Sequence, residues 1–301
     1  MARIIASFQF LLLLLLLLLS GLAVSPAAAD ALRPQRIVSM NQCTDLLLLL
    51  LVDPERIASI SFVSSQPQWT PPDYAGVISR LPSNRGIAEE VLALKGDLVV
   101  TESFNNRQTV QLLRRLGYSV AEFDAETGFS SIRANILRMG DLVGEAARAQ
   151  AIVAAFDARL AGLRARASAQ TSAQTSAQTS AQTSAKAGIF ADVGVNGWMS
   201  GEGTLMADVA NAAGYRTLGQ AMGVAGFRNL SLDQIVAAKP DMIALSNAWT
   251  SPPSEATNAL RHPAFRDLAR SATRVDIPDR LTICGSPATL DAVELIEKAR
   301  R

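Results

Sequence analysis

From residue 36 onward the chain alternates two kinds of apolar run. Short ones bounded by polar or turn residues, at residues 36–40, 57–62, 98–100, 118–123, 187–193, 242–244 and 273–277, predict strands. Between them lie stretches with helical spacing: 107–116, a long one from Ser130 or Ser131 to Arg166, 205–213, 258–269 and 289–301. Asp45 is placed to open a further short helix whose Leu46 to Leu51 run is apolar all round, so that helix must be buried. Strands alternating with helices predict an α/β protein with parallel sheets.

One unit of this pattern occurs twice. Residues 89–100 read EEVLALKGDLVV and residues 233–244 read DQIVAAKPDMIA, a constant offset of 144 that pairs Glu89 with Asp233, Lys95 with Lys239 and Asp97 with Asp241. In each copy an acid suits the positive end of a short helix, and Gly96 or Pro240 stops that helix. The Leu98-Val99-Val100 and Met242-Ile243-Ala244 runs then lack alternation, as a strand covered on both faces should. The expected fold is two Rossmann-like lobes with mostly parallel sheets, joined by one long α-helix. Because ligands gather beyond the carboxyl ends of such strands, Thr101 to Asn106 and Ser246 to Thr250 are expected at a cleft between the lobes.

The ends and the middle of the chain add boundaries. Residues 1–29 carry Arg3 as their only charge, nine consecutive leucines from Leu11 to Leu19, and a small-residue AVSPAAA stretch, the make-up of a cleavable secretory signal. The expected division is then a first lobe at 30–128, a connecting helix at 129–167 in which Gly140 and Gly144 are candidate kinks, and a second lobe at 186–301. Residues 168–185, SAQT four times and then SA, are expected to form a solvated low-complexity insertion, since nothing there can fill a core.

Charge and cysteine content narrow the partners. Without Arg3 the 27 remaining Lys plus Arg balance 27 Asp plus Glu, so neither nucleic acid nor an anionic membrane is an expected partner. Cys43 and Cys284 lie 241 positions apart; they either bridge across the cleft or remain two separate thiols, and the sequence leaves both open.

The chemistry available is limited. His262 is the one histidine, GWMSG lacks the spacing of a nucleophile elbow, and GEGT lacks the third glycine of a dinucleotide loop and the lysine of a phosphate loop. No catalytic residue, resident cofactor or bare metal site is therefore expected. Large aromatics stand out instead: Trp69, Trp198 and Trp249 all fall in expected loops of a chain with 5% aromatic residues, and they are the candidate contacts for a flat or partly apolar ligand. Asn41, Gln42 and Phe104 join them from loops after the first and third expected strands, while Arg228 and Arg280, with Arg85 and Arg107, are candidates for pairing with anionic ligand groups.

Several segments carry a family resemblance. RIVSMNQCTD at 36–45, AEEVLALKGDLVV at 88–100, LSLDQIVAAKPDMIAL at 230–245 and HPAFRDLARSATRV at 262–275 resemble the periplasmic substrate-binding proteins of ABC importers for iron complexes and vitamin B12. The resemblance implies a monomer that captures a metal chelate (ferric siderophore, haem or cobalamin) in the periplasm. It implies delivery to an inner-membrane permease, and through it to the ATPase, with docking by one acid per lobe, Glu89 and Asp233. An exported hydrolase using His262, or a ligand sensor without transport, is the alternative on the same scaffold.

Overall fold

The computed structural model describes residues 33–177, 187–194, 197–245 and 258–300. In chain order the first lobe contains β1 (Ile37–Ser39), α1 (Gln42–Leu51), β2 (Ile57–Ser61), α2 (Ala75–Ile78), β3 (Ser83–Asn84), α3 (Ala88–Ala93), β4 (Leu98–Glu102), α4 (Arg107–Arg115) and β5 (Val120–Phe123). Two helices follow, α5 (Phe129–Val143) and α6 (Ala146–Ala177). The second lobe contains β6 (Gly188–Asp192), β7 (Trp198–Ser200), α7 (Leu205–Ala212), β8 (Tyr215–Thr217), α8 (Leu218–Ala221), β9 (Phe227–Asn229), α9 (Leu232–Ala238) and β10 (Met242–Leu245). It ends with α10 (Asn258–Arg261), α11 (Pro263–Ser271), β11 (Thr273–Asp276) and α12 (Thr289–Ala299).

Both lobes are parallel sheets. The first runs β3-β2-β1-β4-β5 and the second β11-β10-β6-β8, and every pairing within each is parallel. The duplicated unit supplies a central strand of each: β4 lies between β1 and β5, and β10 between β6 and β11. The two copies share more than their order. Lys95 (φ 49°) and Lys239 (φ 46°) are the positive-φ non-glycine residues among the described ones, so each helix ends in a left-handed lysine one position before the expected Gly96 or Pro240. Asp97 then accepts from Arg36 N (3.0 Å) and Asp241 from Ile189 N (2.7 Å), each carboxylate pinning the start of the neighbouring strand. Gly96 has its own reason: a Cβ there would lie 2.8 Å from Val38 Cγ2.

The connecting segment departs from the single helix expected at 129–167. Gly144 takes φ 74° and closes α5, after which α6 folds back along it. Phe129 meets Phe156 edge-to-face at 5.7 Å, Arg133 pairs with Asp157, and a Cβ on Gly140 would lie 2.3 Å from that of Ala149. Gly140 thus admits close helix contact rather than a kink. The long helix that joins the lobes is α6, which spans about 48 Å at ~1.5 Å per residue. Ion pairs hold its start and its middle to different lobes: Arg148 reaches Asp53 in the first lobe, while Arg159 and Arg166 reach Asp291, Glu294 and Glu297 on α12. The helix also runs on to Ala177, ten residues into the SAQT repeat expected to be unstructured. Ser and Thr cost a helix only about 0.5 kcal/mol each relative to Ala, too little to stop one already propagating. Residues 178–185 of the repeat and the signal-like residues 1–29 lie outside the described residues.

The helix α1 is buried as its leucines require, with Leu46, Leu47, Leu48, Leu49 and Leu51 all in the core. It begins at Gln42 rather than Asp45, because Asn41 Oδ1 accepts from Cys43 N at 2.7 Å and caps it. One hydrophobic cluster runs from α1 through Phe129, Ile132 and Phe156 to Phe190, Val209 and Val293, so the two sheets share a core by way of α5 and α6. The helix expected at 258–269 is split by Pro263, and β7 forms where a glycine-rich loop was expected, pairing antiparallel with β9.

Candidate functional site

The order of each sheet reverses once, at β1/β4 in the first lobe and at β6/β10 in the second, and side chains from these ends converge. A cavity of 390 Å³ lies between Ala125, Glu126 and Thr127, just past β5, and the second lobe's Asp192, Val193 and Gly194 at the end of β6. Ala244 on β10, Ile277 past β11, and Leu205 and Met206 at the start of α7 close its apolar side.

Trp198 and Phe227 stand at its mouth. The β7–β9 pairing sets Trp198 opposite Asn229 and Ser200 opposite Phe227, and the two rings stack with centroids 5.9 Å apart and planes 13° from parallel. They remain 48% and 58% exposed, a considerable apolar area left facing water. Gly197 (φ 71°) makes the approach possible, since a Cβ there would lie 2.3 Å from Leu230 O. Thr204 Oγ1 accepts from Ala207 N and caps α7, which gives the GEGT segment a structural role.

Carboxylates form the polar part of the wall. Asp192 accepts from Ser200 N (3.2 Å), and burial pushes it up to about 7, with its bonds to Ser200 opposing the shift. Glu126 accepts from Asn135 Nδ2 at 2.8 Å and from Gly285 N at 3.3 Å, and burial raises it as well. Behind it Glu102, at the end of β4, is pushed up to about 7, first by burial and then by the Glu126 charge, against a lowering bond from Asn41. The third cavity acid, Asp279, opens a single 3-10 turn beyond β11.

Cys43 and Cys284 form a disulfide with Cα atoms 5.1 Å apart. Cys43 lies in the first turn of α1 and Cys284 in the segment before α12, so the bond ties the lobes together beside Glu102 and Glu126. The backbones are close here: a Cβ on Gly285 would lie 2.5 Å from Glu126 Cβ and from Ile132 Cγ1.

The residues singled out from sequence scatter around this site. Trp198 lines the cavity; Trp249 lies outside the described residues. Asn41 Oδ1 caps α1 while its side chain also bonds Glu102, and Gln42 Nε2 donates to Trp69 O at 2.6 Å, so both polar groups are engaged within the first lobe. Trp69 is half-buried and Phe104 is 83% exposed, and neither is among the residues lining the cavity. Arg228 is exposed beside Phe227; Arg280 is partly buried, and its Nε has no hydrogen-bond partner among the described residues. Arg85 pairs with Glu90 at the surface. Glu89 and Asp233 are exposed in the first turns of α3 and α9. His262 Nδ1 accepts from Ala264 N (3.2 Å) and caps α11. Sequence reasoning missed Glu126, Asp192, Asp279 and Phe227; the available signal was an acid closing an apolar strand, as in GIFAD.

Two parallel lobes on one spanning helix, with a cavity at their facing strand ends, define the architecture of a two-lobed solute-binding protein. The periplasmic binding protein family matches residues 37–216, more than half of the chain, and the chain belongs to that family. Among solved structures it is similar to the periplasmic haem-binding protein RhuT from Roseiflexus sp. RS-1, with TM-score 0.67 and 19% identity over 89% of this chain and 99% of that one. It is also similar to a periplasmic haem-binding protein from Pseudomonas aeruginosa (0.67, 22%, 88% and 92%). The periplasmic vitamin B12 binding protein BtuF of Vibrio cholerae is a third (0.62, 18%, 89% and 96%). At these identities the likeness is one of fold. No curated protein matches by sequence.

Proposed function

We propose that this chain is the substrate-binding component of an ABC importer, taking a metal chelate into the interlobe cavity and handing it to an inner-membrane permease. The observation that carries the reading is the exposed Trp198–Phe227 stack beside a 390 Å³ cavity at the carboxyl ends of both sheets. A pair of half-exposed rings suits the flat, partly apolar face of a chelate, each ring offering roughly half of the ~150–250 Å² of a whole aromatic side chain. Family membership supports a binding role and a periplasmic location. Residues 1–29 would serve as the export signal, and the exposed acids Glu89 and Asp233, in equivalent positions of the two copies, would meet the permease. The chain would act as a monomer, with the importer's ATPase reached only through the permease.

Tryptophan fluorescence of the purified protein, titrated with a ferric hydroxamate, haem and a corrinoid, tests this. Saturable quenching by at least one of them at one-to-one stoichiometry is expected. Absence of any response to all three would refute a chelate-binding role.

A further inference from the structure

Resting on that reading of the cavity, we propose that it selects chelates with no net negative charge, and that Glu126, Asp192 and Asp279 set the preference. These acids arrive from three separate places: past β5, at the end of β6 and past β11. None of the described residues lining the cavity is Lys, Arg or His.

What the acids bond to points the same way. Glu126 takes N–H groups from Asn135 and Gly285, and Asp192 takes the Ser200 N–H; both sets are neutral amides. Glu102 stands behind Glu126 with its carboxylate within 4.8 Å, so a second acid rather than a cation backs this part of the wall. The raised values of Asp192, Glu126 and Glu102 have burial as their first cause and no cation opposing it. Arg228 and Arg280 are the basic residues adjacent in sequence to cavity residues, and neither lines it.

A ligand carrying carboxylate or catecholate charge would find no basic partner among the described lining residues, and would meet like charge wherever one of these acids is ionised. A ligand with amide or ammonium groups at its edge would donate to the same oxygens, and a cation would also be attracted to the Trp198 and Phe227 faces. The chemistry that fits is a neutral or cationic chelate with hydrogen-bond donors on its rim and a flat or apolar face for the stack.

Isothermal titration with four probes of graded charge tests the proposal: ferrioxamine B (cation), ferrichrome (neutral), haem (two propionates) and ferric enterobactin (trianion). The cationic and neutral probes are expected to bind at least about tenfold more tightly than the anionic ones. That ratio corresponds to about 1.4 kcal/mol, less than one like-charge pair ~8 Å apart costs at an effective dielectric of ~20. Asp279→Lys, at a partly exposed turn, is expected to narrow the ratio by weakening the cationic probe and strengthening the anionic ones. Tightest binding of haem or ferric enterobactin to the unaltered protein would overturn the charge preference while leaving the chelate-binding role in place. Failure of all four probes would overturn both.

Discussion

Replacing both Cys43 and Cys284 with serine tests whether the lobes are held as one unit. The bond closes a loop of 241 residues, which contains α5, α6 and most of both lobes. In the chain-entropy account, a loop of that size restricts the unfolded chain by about 18 cal/mol/K, or about 5 kcal/mol at 25 °C, an upper figure beside the ~2–5 kcal/mol that removal of native bridges costs. The folded side changes little. Serine is close to cysteine in size, Cys284 is already enclosed, and α6 with its ion pairs to Asp53 and α12 still spans the lobes. The double variant should therefore fold and lose about 2–5 kcal/mol. Urea unfolding followed by circular dichroism measures the loss, and wild-type protein treated with a dithiol should shift to the same midpoint. Coincident midpoints for the oxidised wild type and the double variant would refute the reasoning.

Two further predictions follow from the buried acids and the duplicated module. Burial holds Asp45 at about 7, above its ordinary 3.8, so the native state keeps a proton that the unfolded chain releases, and stability is lost as pH rises from about 4 through 7. At ~1.36 kcal/mol per unit the loss approaches about 4 kcal/mol, and Asp45→Asn should flatten the slope of stability against pH; equal slopes in wild type and variant would contradict it. Charge reversal of the exposed pair, Glu89→Lys with Asp233→Lys, should slow transport by the reconstituted importer while leaving ligand affinity intact, since exposed interface charges act mainly on encounter. Unchanged transport would remove both acids from the docking surface.

The fold was legible in the sequence because its repeat is local. An acid, a short helix, a stop and an unbroken apolar run can each be read within twelve residues, and both copies became helix and central strand as expected. The connecting helix was harder. A helical period passes through Gly144 without interruption, and only its left-handed conformation with the contacts of Phe129 and Gly140 shows that the chain turns back there. At the site the difficulty was distance along the chain. Asn41 and Gln42 look like free polar groups until Cys43 N and Trp69 O are found against them. Glu126 and Asp192 look like solvated acids until packing buries them. Whether Cys43 meets Cys284 depends on how two separately coded lobes come together, information carried by no local pattern.

Binding against the Trp198–Phe227 stack is the centre of the account, and a protein with one tryptophan reports on it directly. With Trp69→Phe and Trp249→Phe, Trp198 is the sole indole, 5.9 Å from the Phe227 ring. Titration with ferrichrome or ferrioxamine B should give saturable quenching of that indole. A chelate that still binds by calorimetry yet leaves Trp198 emission unchanged would contradict the account.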